Sequence, residues 1–287
     1  MPTMESSVQR TVDCYYPGKS FPAISITGKA CALNCKHCSR RYLEGMVPAT
    51  TSEELVEIAR SLEARGAKGF LLSGGVDETG KVPIADFLPA ISEIKDETDL
   101  KINAHIGLSP TAEIGELARA GIDAFSIDVY GSDATISDVL GLKARVGDYF
   151  RVLRDLKEQK AYTAPHICVG IHEGRIDGEI SALEHLAELE PDALVLISLI
   201  PTKGTLYEKV EPPSREDVLT VVKAARRVLP RTRILLGCMR SKLSRAVEYD
   251  AVAVGVDGVV LPSSETVKRL KAEGFTIRER VECCAFP

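Results

Sequence analysis

Short β-branched apolar runs alternate with amphipathic stretches through almost the whole chain, and that alternation permits few architectures. It is the pattern of repeated βα units feeding a parallel sheet. Runs at 21–27, 69–74, 101–107, 124–130, 166–171, 193–200, 233–238 and 258–262 read as strands. Helices are expected at 51–66 and near 111–120, 145–159, 178–190, 214–229, 241–253 and 264–273. In the first of these, Thr51 or Ser52 supplies an N-cap, the apolar residues fall on one face, and Gly66 ends the helix. The fold class expected is therefore α/β, a (β/α)8 barrel of the TIM type, although a doubly wound open sheet shows a similar alternation. With 287 residues, 45% of them hydrophobic, the chain can bury one large core. The expected division is an N-terminal extension (1–20), a barrel (21–275) and a cysteine-containing tail (276–287), with both extensions folded over the barrel mouth.

A net charge of −5, with no block of basic residues, gives nucleic acid nothing to bind. No stretch of about 18 apolar residues suggests a membrane span, and no basic start leads into an apolar run, so a cytoplasmic protein is expected. Eight cysteines in such a chain argue for metal ligation or redox chemistry over disulfides.

Three of them form CALNCKHC, with Cys31, Cys35 and Cys38 spaced C-x3-C-x2-C just after the first expected strand. That places them in a loop at a strand's C-terminal end, the catalytic face of a barrel. Three thiolates can hold three irons of a cubane and leave the fourth open to a ligand. A zinc site or three buried thiols are the alternatives, but closed structural zinc takes four ligands, and His37 is badly placed to share an ion with the adjacent Cys38.

On this motif the chain resembles the radical S-adenosylmethionine (SAM) superfamily, with His37 where the family has an aromatic or similar residue before the last cysteine. The resemblance implies a 4Fe-4S cluster whose open iron is chelated by SAM, and reductive cleavage of SAM to a 5′-deoxyadenosyl radical. LLSGG (71–75) looks like the family's glycine motif, which would put Gly74 and Gly75 beside the SAM amino group. The usual acidic residue after the glycines is missing; Val76 stands there and Asp77 follows, as a replacement or as a bystander to a backbone contact. Asp128, alternating with Ser126 and Tyr130 on one strand face, resembles a ribose-binding residue, and an internal ion pair is its other reading. Gly170, Ile171 and Glu179 resemble the fifth-strand motif, and IPTKGT (200–205), with Pro201, the sixth-strand segment that contacts adenine; both also read as ordinary turns. No catalytic side chain is singled out. His105 and His172 at strand ends suit a structural or a proton-transfer role equally.

Cys14, Cys238, Cys283 and Cys284 are expected to hold a second, auxiliary 4Fe-4S cluster, because adjacent thiols near a terminus are otherwise an oxidation liability. Cys168 reads as a buried hydrophobe, and Arg240 as a salt-bridge partner at the rim that also neighbours the position of an arginine cluster ligand in biotin synthase. Biotin synthase and lipoyl synthase insert sulfur from a consumed auxiliary cluster. IPTKGT, GCMR (237–240) and ECCAFP (282–287) look most like the biotin-synthase-related components of two-protein lipoyl synthases, although the N-terminal C-x4-C-x5-C set of single-chain lipoyl synthase is absent. The resemblance implies a sulfurtransferase acting on an octanoylated lipoyl carrier domain, with a second radical SAM component and a reductant such as ferredoxin or flavodoxin as partners. The competing readings are a single-cluster cofactor maturase and a non-enzymatic iron–sulfur scaffold or electron carrier.

Overall fold

The computed structural model describes residues 10–241 and 246–287. Its strands are β1 (Thr11–Tyr15), β2 (Ala23–Ser25), β3 (Val47–Pro48), β4 (Gly69–Ser73), β5 (Lys101–His105), β6 (Ala124–Asp128), β7 (Thr163–Val169), β8 (Ala193–Ser198), β9 (Arg233–Leu236), β10 (Gly258–Val260) and β11 (Thr276–Arg280). They form one sheet in the order β11-β1-β10-β9-β8-β7-β6-β5-β4-β2-β3, every pair parallel. Apart from the two-residue β3, which lies outside β2, the spatial order from β2 to β10 follows the chain, without the reversal that defines a doubly wound sheet, so the barrel reading holds. The ladder stays open, with β3 and β11 at its ends.

The helices are α1 (Ser52–Ala64), α2 (Leu88–Glu97), α3 (Thr111–Arg119), the single turn α4 (Asp133–Thr135), α5 (Val146–Glu158), α6 (Glu179–Leu189), α7 (Arg215–Val228), α8 (Glu248–Ala253) and α9 (Ser264–Ala272). Thr51 caps α1 in a full capping box with Glu54. α2, which opens with a proline at its first turn, has no counterpart among the expected helices. Part of the helix expected at 241–253 lies outside the described residues; α8 is its described portion. Most of the apolar core lies between sheet and helices, with Leu55, Ile91, Leu153 and Val221 packed against outward-facing strand residues such as Ile24, Leu72 and Ile102.

A second, smaller core fills the inside of the curled sheet, and it corrects the expected position of the tails. β1 and β11 join the sheet itself, and the last residues enter the barrel at its base, the N-terminal ends of the strands. Cys284, Ala285 and Phe286 pack with Tyr15, Phe21 and Val195 and with Ala124, Ala164 and Ala193, near the starts of β6, β7 and β8. Alanine at three inward positions leaves the space the tail occupies. Phe286 is held by the Phe21 ring (centroids 5.8 Å apart), by the Lys101 ammonium (5.3 Å) and by a hydrogen bond from the Tyr15 hydroxyl to its carbonyl (3.1 Å). Lys101 also pairs with Glu282 at 3.0 Å. The tail thus closes the base rather than the mouth.

Candidate active site

The loop after β2 carries Cys31, Cys35 and Cys38 and is pinned to the turn after β4. Thr27 Oγ1 accepts from the Gly75 N–H at 2.6 Å and donates to the Ala30 carbonyl at 2.9 Å, while the Ala32 N–H donates to the Val76 carbonyl at 2.7 Å. The approach is so close that a Cβ on Gly75 would stand 1.9 Å from the Ala30 oxygen and 2.6 Å from Cys31 Cβ. Ser39 and Arg40 adopt left-handed φ values of 44° and 66°, turning the chain sharply after Cys38. The far end of the loop is tied to the 136–140 turn by Lys36 N–H to Val139 O (2.9 Å).

The three thiols wall a cavity of about 270 Å³ together with Gly74, Gly75, His105 and Asp128. Burial pushes the Cys35 thiol up to about 12, reinforced by the charges of Cys38 and Cys31, and burial likewise raises Cys38. These thiols ionise together only with a cationic centre among them. Among the described residues, no three His, Cys, Asp or Glu side chains close on a point that one metal ion could occupy. Thiols spread around a cavity suit a multi-iron cluster rather than zinc. His37 also lines the cavity; its Nδ1 is buried without a hydrogen-bond partner, and burial pulls the imidazole down to about 4, so it is neutral. An orphaned buried nitrogen and a glycine cradle beside three thiols fit a bound cluster and cofactor.

Asp128 projects into the cavity with no hydrogen-bond partner among the described residues, and His105 is the charged group that acts on it. Burial raises its carboxyl, and the charge of His105 opposes that. The His105 and His166 rings lie 4.9 Å apart on the inner face of β5 and β7, and His166 Nδ1 sits 2.9 Å from the Ala164 carbonyl, which accepts its proton. Asp77 is spent locally: its Oδ1 accepts from Thr79 N, Thr79 Oγ1 and Lys81 N. Asp77 does not line the cavity beside Gly74 and Gly75. His172 is engaged by Thr135 and Asp177, each at 2.9 Å, outside the cavity lining.

Gly170, at φ 72°, packs under Pro213, and its N–H donates to buried Glu179, whose other oxygen accepts from Asp177 N. Glu179 is thus a clasp for the turn after β7, and neither Gly170 nor Pro201 lines the cavity. The 200–205 segment reaches the cysteine loop through Tyr42 Oη and Thr202 Oγ1, 3.3 Å apart, and is continued by the Tyr207 N–H donating to Lys36 O at 3.2 Å.

The second set of cysteines is divided. Tyr15 faces the barrel interior, so its neighbour Cys14 faces the other way, toward Glu248 and Lys271, with burial raising its thiol to about 11. Cys14 does not join the others. Cys283 and Cys284 enter the barrel with the tail, and Cys238, just after β9, is exposed, with desolvation by its neighbours and then the Cys283 charge raising its thiol. Hydrogen bonding from the Cys284 thiol chiefly pulls Cys283 down to about 7, against burial, with help from Ala285 N–H and Asn103. Cys168 lies on the inner face of β7, its thiol raised by burial. Arg240 makes a buried pair with Glu248 at 2.7 Å and donates to Val260 O and Gly237 O, so the salt-bridge reading describes it. Asn103, His166 and Tyr149 were not singled out from sequence; the inward spacing of Asn103 and His105 in KINAHIG is the signal that could have found the first.

A model of the radical SAM superfamily matches residues 25–177, which span the cysteine loop, the glycine turn and Asp128. Among curated relatives, biotin synthase of Halorhodospira halophila is 26% identical over 91% of this chain and 84% of its own. Biotin synthase of Rhodococcus jostii is 26% identical over 81% and 72%. Of solved structures, the FeFe-hydrogenase maturase HydG from Carboxydothermus hydrogenoformans superposes with a TM-score of 0.67 at 17% identity, over 93% of this chain and 67% of that one. Methylornithine synthase (PylB) gives 0.61 at 18%, over 94% and 84%. These structures share the fold. No helix of the described residues is long and apolar enough to cross a membrane. With the family's cysteine spacing, glycine turn and parallel barrel all in place, the chain belongs to the radical SAM superfamily.

Proposed function

We propose that this radical SAM enzyme inserts sulfur into an unactivated C–H bond of a protein-bound octanoyl chain, as one component of a two-protein lipoyl synthase in the cytoplasm. The observation that carries this reading is the pair Cys283 and Cys284 inside the barrel, in the neighbourhood of Cys238 and beneath the cavity of the cysteine loop. Cys31, Cys35 and Cys38 would hold the 4Fe-4S cluster, and SAM bound to it supplies, on one-electron reduction, a 5′-deoxyadenosyl radical that takes hydrogen from the substrate carbon. Gly74 and Gly75 admit the SAM amino group, Asp128 accepts from the ribose hydroxyls, and neutral His37 offers its free nitrogen to the same ligand. Cys238, Cys283 and Cys284 would hold an auxiliary 4Fe-4S cluster as the sulfur source.

The acyl chain would enter by the mouth into the cavity of the cysteine loop, while the tail seals the base against water. Its carrier is an octanoylated lipoyl domain, and ferredoxin or flavodoxin is the electron donor. Iron and sulfide content with Mössbauer spectra tests the reading on anaerobically reconstituted wild type and on the Cys31, Cys35, Cys38→Ala triple variant. Retention of about four irons in the variant is expected, and complete loss would refute sulfur insertion in favour of a single-cluster maturase.

A further inference from the structure

The Asn103 amide reaches the sulfur of Cys283, its Nδ2 standing 3.5 Å away. Asn103 is 1% exposed on the inner face of β5, two residues and one layer below His105 in the cavity floor. Burying an amide costs stability unless both of its ends are used. Its Oδ1 accepts from the fully buried Ser126 hydroxyl at 2.9 Å, which turns its NH2 toward the tail and leaves the sulfur as partner. A leucine would fill this position at lower cost, so the amide is explained by the sulfur it faces.

We propose that Asn103, oriented by Ser126, is a positioning residue: its N–H···S bond fixes the Cys283 sulfur in the barrel interior, one layer below the SAM cavity. This deepens the sulfur-insertion reading and rests on it. Hydrogen bonds to cluster sulfurs favour the reduced state, so removing one lowers the reduction potential. No bond forms or breaks at Asn103.

The test is a redox titration followed by electron paramagnetic resonance on the full chain with Cys31, Cys35 and Cys38→Ala, where only the second cluster remains. Adding Asn103→Leu is expected to keep the iron and shift the midpoint potential down; Ser126→Ala shifts it the same way by less. An unchanged potential in both overturns the proposal. If Asn103→Leu fails to fold or to hold iron, Asn103→Ala, which removes the amide without adding a charge, is judged by the same criterion. If the background itself holds no iron, the sulfur-insertion reading falls separately. The positioning role is then read from crystal structures of the metal-free full chain, wild type and Asn103→Leu: a displaced Cys283 sulfur is expected, and an unmoved one overturns the assignment.

Discussion

Gly75 is the residue on which the cysteine loop closes. Its backbone conformation is open to any residue, but a methyl group there would stand 1.9 Å from the Ala30 carbonyl, a rigid backbone atom. Gly75→Ala must therefore push the loop away from the turn after β4, at a cost of about 1–3 kcal/mol for overpacking. After reconstitution the variant is expected to hold less iron and to bind SAM at least about tenfold more weakly, read by iron assay and equilibrium dialysis, each 1.4 kcal/mol being a factor of ten. Gly74→Ala, whose nearest neighbour is the Thr27 hydroxyl at 3.0 Å, is expected to do less because a side chain can yield. The GG pair was legible in LLSGG as a place of close approach. That the approach is to Ala30 and Cys31 as well as to a ligand follows only from where two distant turns meet.

At the scale of elements, β1 and β11 are clipped together by one carboxylate. Asp13 meets Arg278 at 2.5 and 2.8 Å, Arg233 at 3.4 Å and Arg280 at 3.8 Å. Burial alone would raise its carboxyl, but Arg278, Arg280 and Arg233 more than reverse that and hold it below the ordinary carboxylate value of 3.8. A folded-state value below the unfolded one means stability that is full above the unfolded value and drains away as pH falls through the folded one. Asp13→Asn is expected to cost about 2–3 kcal/mol near pH 7, less than the about 3–5 of a fully buried pair because Arg278 is half in solvent. Urea melts of the two proteins should converge as pH falls toward 3. A constant gap would show that the pairing is not electrostatic.

For the whole molecule, the tail is what turns an open curled sheet into a sealed vessel. Phe286, 4% exposed, carries most of its buried area, and Phe286→Ala is expected to cost about 3–5 kcal/mol. In a chain of this size that is a fall of roughly 5–8 °C in melting temperature, measurable by calorimetry. Cys283 and Cys284 should become reactive to a maleimide in the same variant while Cys14, buried between sheet and helices, stays protected. β1 pairs with β10 and β11, more than 240 residues away in sequence, so the base closes only after the rest of the barrel exists.

The sequence by itself determined the βα alternation, the parallel sheet, and the loop of Cys31, Cys35 and Cys38 at a strand's C-terminal end, because periodicity and short spacings are local properties; the strand order decided for the barrel over a doubly wound sheet. It also marked both tails as unusual through their cysteines. The tertiary structure decided everything that depends on strand parity and on distant surfaces meeting. One residue of alternation turns Cys14 away from the cysteines with which it was grouped. Three inward alanines, unremarkable in their own strands, together admit the tail at the base instead of the mouth. Asp77 and Arg240 found partners nearby, at Thr79 and Glu248. Asn103 acquired a role only when strand β5 and a sulfur 180 residues away came within 3.5 Å. Apolar patterning places a side chain inside or outside, but only the assembled, curled sheet settles what it meets there.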